Sequence, residues 1–149
     1  MKRWEGWTFG VLVLASSMTG LVYFWMKYLL VSDDPLAVVN HPWQAAIVAA
    51  HIVVSPPLIL MFGIILNSHI LKKLRATAAP KKRSGLFSLA TFFVMVASGY
   101  LLQVATGEGT LQALVAIHVT SGVLFSVVYA LHLVISARVA HAQVARLAA

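Results

Sequence analysis

Residues 116–134 read AIHVTSGVLFSVVYALHLV, an apolar stretch of helical length in which His118 and His132 stand fourteen residues apart. Fourteen residues is close to four α-helical turns, so both side chains leave one face within about 40° of each other and about 21 Å apart along the axis. A second apolar stretch carries His51 and His69 at a spacing of eighteen, five turns of an unbroken helix. Two helices, each with two imidazoles on one inward face, are what a helical bundle needs to hold two stacked redox centres, one near each end.

The composition fits a chain dissolved in lipid. Of 149 residues, 60% are hydrophobic and 10% charged, and the mean hydropathy is +0.89. A soluble domain carries far more charge. The excess of eleven Lys and Arg over four Asp and Glu resembles that of a nucleic-acid binder, but the basic residues cluster at the ends of apolar runs. No nucleic acid is expected as a partner; membrane lipid is. Cysteine is absent, which excludes disulfides, iron–sulfur clusters, zinc–thiolate sites and covalent c-type haem attachment.

Four apolar runs follow one another, at about 7–30, 44–71, 86–105 and 110–137. Each can cross a hydrocarbon layer of about 30 Å, and the expected fold is all-α: a single transmembrane domain over 1–149, an integral membrane four-helix up-down bundle. The first run follows Lys2 and Arg3 like a signal peptide, yet it is longer than a signal core and lacks a small-residue cleavage site, so it reads as a retained helix. Residues 31–43, with Asp33, Asp34, Pro35 and Pro42, read as a loop, and Ser55-Pro56-Pro57 predicts a kink in the second helix. The N-terminus, the segment between helices two and three (Lys72, Lys73, Arg75, Lys81, Lys82 and Arg83) and a tail with Arg138 and Arg146 hold ten of the eleven basic residues. By the positive-inside rule both termini are cytoplasmic. Trp4 and Trp7 at one end of helix one, with Trp25, Tyr28 and Trp43 near the other surface, fit two interfacial belts.

In an up-down bundle helices two and four are parallel, so His51 and His118 share the outer depth while His69 and His132 share the inner one. The outer histidines lie about 10 to 12 Å in from their helix starts; the inner pair is mismatched by one turn, about 6 Å. Neutral imidazole suits haem iron, and the four residues fall into two separated groups, unlike the gathered ligands of zinc or di-iron. Singly, each histidine is equally an interhelical hydrogen-bonding residue or a step on a proton path. Gly20 and Gly99, with Gly6 and Gly85 fourteen residues before them, offer room for a porphyrin edge, or else ordinary close helix packing. Lys27 reads as snorkelling to the outer interface, His41 as a loop residue and His141 as a tail residue.

The stretches IHVTSGVLFSVVYALHLV (117–134), AAHIVVSPPL (49–58), NSHI (67–70) and SGY (98–100) together resemble the small four-helix di-haem b-type cytochromes that serve as membrane subunits of bacterial respiratory oxidoreductases. Candidate ligands on helices two and four, with glycines on one and three, are similar to the core of the cytochrome b of quinol–cytochrome c oxidoreductases. Hydrogenase and formate dehydrogenase cytochromes usually take a ligand from helix one, which here has no histidine. The resemblance implies two non-covalent haem b groups with His51, His118, His69 and His132 as axial ligands, a quinone, and other subunits of a respiratory complex as partners. It implies an electron-carrying subunit between the quinone pool and a partner, and no stand-alone enzyme.

Two other classes remain open on the residues alone. One is a cofactor-free membrane anchor or assembly subunit whose histidines bond between helices. The other is a proton or metal transporter, disfavoured because the four runs as bounded above contain no carboxylate.

Overall fold

The computed structural model describes the backbone of residues 2–32, 34, 36–72 and 82–148, and their side chains except at 68, 69, 82–84, 136, 137 and 139–148. The side chains of His69 and His141, Asp33, and most of the basic segment between the second and third helices lie outside the described residues. The fold is all-α. Helix α1 spans Arg3–Phe24 and closes with a π turn at Trp25–Leu29; α2 spans Gln44–Ile65 and closes with a π turn at Leu66–Ile70; α3 spans Lys82–Val104 and α4 Glu108–Ala148. All four are long and apolar enough to cross a membrane, over Arg3–Leu29, Gln44–Ile65, Gly85–Val104 and Glu108–Ile135.

The helices form two hairpins, one in each of the compact units Met1–Ala79 and Pro80–Ala149. In the first, the ring of Phe9 faces Phe62 at 6.1 Å. Eleven residues further along α1, Gly20 faces His51, eleven residues back along α2, which is an antiparallel register. In the second, Phe92 meets Phe125 edge-on at 5.2 Å. Seven residues on, Gly99 faces His118, seven residues back. Phe92 and Phe125 are buried to 2% and 3% exposure. The corresponding positions of the first hairpin, seven before Gly20 and seven after His51, are Val13 and Leu58, and both are buried too.

The connections differ. In the loop before α2, Asp34 Oδ1 accepts the Leu36 N–H at 2.9 Å, His41 Nδ1 accepts the Trp43 N–H at 3.1 Å, and Asn40 Nδ2 reaches back to donate to the Lys27 carbonyl at 3.0 Å. His41 is thus a loop residue that orders the approach to α2. Between α3 and α4 the chain turns at Gly107, whose φ of 95° lies in the left-handed region open to glycine. The Lys27 ammonium sits 5.6 Å and 5.5 Å from the ring centroids of Tyr23 and Tyr28, within cation–π range.

Helix ends depart from the sequence expectation most at the two termini of the chain. Helix α1 begins at Arg3, before Trp7, because the Glu5 carboxylate accepts the Lys2 backbone N–H at 2.8 Å and satisfies a donor at the helix start. Glu5 is therefore inside an apolar span and 5% exposed, and Glu108 opens α4, so the spans do contain carboxylates. The residues after 137, expected as a tail, continue α4 to Ala148; they are rich in alanine and contain neither Gly nor Pro. Helix α2 runs through Pro56 and Pro57 without ending.

Candidate functional site

The carbonyl oxygen of Ser16 on α1 points across the hairpin at the His51 imidazole, 3.0 Å from Nδ1. A carbonyl can only accept, so the hydrogen bond requires the proton on Nδ1. Thr19 Oγ1 lies 3.2 Å from the same nitrogen. Gly20 explains the approach: a Cβ there would stand 3.0 Å from His51 Cε1 and 3.3 Å from Nδ1. Any side chain at 20 would press on the ring.

The second hairpin repeats this arrangement atom for atom. The Met95 carbonyl lies 2.9 Å from His118 Nδ1, and Ser98 Oγ is 3.3 Å from it. A Cβ at Gly99 would fall 2.9 Å from His118 Cε1 and 3.2 Å from Nδ1. In each hairpin the accepting carbonyl is four residues before the glycine and the hydroxyl one before it. The spacing has a helical cause: the carbonyl of residue i leans toward residue i+4, so removing the Cβ at i+4 opens the route by which an imidazole reaches that oxygen. Glycine costs about 1 kcal/mol in a helix interior relative to alanine, and both helices accept it where the ring docks.

Chemically, a neutral imidazole in this seat has Nε2 as its unprotonated nitrogen. That is how metal-ligating histidines are usually prepared, with the other ring N–H given to a backbone carbonyl or carboxylate. The donor set therefore fits haem iron at His51 and at His118. The space at Gly20 and Gly99, which the sequence reading gave to a porphyrin edge, is in contact with imidazole.

The other two histidines are placed differently. His132 is exposed, fourteen residues along an unbroken α4 from His118. The register that sets Gly99 against His118 would set Gly85 opposite His132, yet a Cβ at Gly85 would meet nothing within 4 Å. His69 lies in the π turn Leu66–Ile70. A π turn takes more residues than an α turn, so eighteen residues from His51 are fewer than the five turns counted for an unbroken helix. Among the described residues, no three or more His, Cys, Asp or Glu side chains gather as a metal cluster.

The seat itself was not read from the sequence. Its hydroxyls, Thr19 and Ser98, directly precede the two glycines, and that pairing of a small hydroxyl residue with glycine in mid-helix was the available signal. The carbonyls of Ser16 and Met95 leave no letter at all.

Comparison of the chain with protein-family models, with characterised proteins and with solved structures gave no match.

Proposed function

We propose that the chain is a b-type cytochrome subunit of a membrane electron-transfer complex, carrying electrons across a bacterial inner membrane between the quinone pool and a partner redox subunit. The observation that carries this reading is the duplicated seat, which prepares one imidazole on each hairpin in the tautomer that binds iron through Nε2. His51, His118, His69 and His132 would be the axial ligands, with both termini cytoplasmic. A bound haem supplies reversible one-electron exchange. The residues of this chain hold the ring nitrogens in place, keep water away with apolar helices, and fix the spacing of the sites. Buried Phe92 and Phe125 back the second seat one stage deeper in the hairpin.

A second reading is favoured by the same hydrogen bonds. His51 and His118 each join two helices through a backbone carbonyl, which is also what a histidine does in a cofactor-free anchor. The dithionite-reduced minus oxidised spectrum of the purified chain separates the two. A b-type α band supports the cytochrome, and a colourless preparation from haem-replete cells leaves the anchor.

A further inference from the structure

Each hydroxyl beside the ring spends its own proton on its own helix. Thr19 Oγ1 donates to the carbonyls of Ala15 at 2.8 Å and Ser16 at 3.1 Å. Ser98 Oγ donates to those of Val94 at 2.7 Å and Met95 at 3.0 Å. With its proton so placed, each hydroxyl offers Nδ1 an oxygen lone pair, beside a carbonyl that can only accept. An imidazole with Nδ1 unprotonated would set its lone pair against the carbonyl oxygen, and the hydroxyl could donate to it only by giving up its bond to its own helix. A ring turned over would set a carbon against both. Either alternative leaves polar groups unsatisfied in an apolar hairpin, the costly side of the hydrogen-bond balance.

We propose that Thr19 and Ser98 are positioning residues of an imidazole seat used twice, which holds the proton on Nδ1 of His51 and of His118 and commits Nε2 of each to coordination. The assignment of the proton stands on the hydrogen bonds alone. That Nε2 meets iron rests on the function proposed above. The two seats share no side chain except glycine and a hydroxyl, and the acceptor carbonyl belongs to serine in one and methionine in the other. The common element is the geometry of a carbonyl, a hydroxyl and a missing Cβ at fixed offsets on one helix.

The test is nitrogen NMR of the full-length chain, labelled with ¹⁵N at histidine, produced without haem and held in detergent micelles. Resonances are assigned by their loss in His51→Gln and His118→Gln. The expected wild-type result is a protonated Nδ1 and an unprotonated Nε2 at both residues. Thr19→Val should shift the Nδ1 resonance of His51 and leave that of His118 in place; Ser98→Ala should do the reverse. Thr19→Ser and Ser98→Thr should restore the wild-type positions. Gly20→Ala and Gly99→Ala should remove the Nδ1–H signal of the facing histidine.

Protonation of Nε2 at either histidine in the wild type overturns the proposal, and so do hydroxyl variants whose spectra match it. The wild-type measurement decides even where a variant fails to fold. A chain with Nδ1–H at both residues that never takes up haem upholds the seat and overturns the electron-transfer reading.

Discussion

Gly99 and His118 are in contact to the point where one more carbon would not fit: a Cβ at 99 would stand 2.9 Å from the ring's Cε1. The same is nearly true of Gly20 and His51, at 3.0 Å. Gly99→Ala should therefore cost about 1–3 kcal/mol, the usual range for an overpacked interior. Gly85→Ala, with nothing within 4 Å, should be neutral or stabilising by helix propensity. Unfolding of both variants in mixed micelles by titration with SDS measures the difference, and equal stabilities would show that the ring yields.

Phe92 is the most completely buried large side chain in the described structure, packed on Phe125. Phe92→Ala should cost about 3–5 kcal/mol in the same unfolding assay. Phe93→Ala, at an exposed neighbour, should cost much less.

The hydroxyl contacts are worth less than the packing. Hydrogen bonds between membrane helices average about 0.6 kcal/mol, so Ser98→Ala should shift stability by about that amount. A loss as large as that of Phe92→Ala would mean that Ser98 holds the hairpin together as well as the ring.

If His51 and His118 hold one haem, replacing either by Ala should remove or alter the same component in a redox titration followed at the α band. His69→Ala and His132→Ala should act together on the other. A pyridine haemochrome assay should give two haems per chain; a single haem would leave His69 and His132 without a site.

Orientation follows from the distribution of charge. A reporter inserted between residues 76 and 80 should be cytoplasmic and one near Val38 external, because the first site lies in the basic segment and the second in a loop without Lys or Arg. The opposite accessibility to a membrane-impermeant label would reverse the depth of every histidine.

The four helices were legible because apolar length is a coarse property that no single residue controls. Their ends were less so. Helix one, expected from about Trp7, reaches back to Arg3 with the Glu5 carboxylate capping the Lys2 N–H, and the residues past 137, expected as a tail with Arg138 and Arg146, continue as helix. The internal repeat escaped detection for a physical reason. Glycine precedes histidine by 31 residues in the first hairpin and by 19 in the second, since the loops differ in length, and the repeated acceptor is a backbone atom. The fourteen-residue glycine spacing was visible, but only contact geometry shows that Gly20 and Gly99 touch imidazole while Gly85 touches nothing.

Helix α4 runs thirteen residues past Ile135, to Ala148, with neither glycine nor proline after Gly122 to loosen it. That overhang is about 20 Å long. It is a lever continuous with the segment bearing His118, and a tilt of about 20° within the bilayer would swing its tip sideways by about 7 Å. Whatever repacks the second hairpin is thus magnified outside the lipid, where another molecule can feel it.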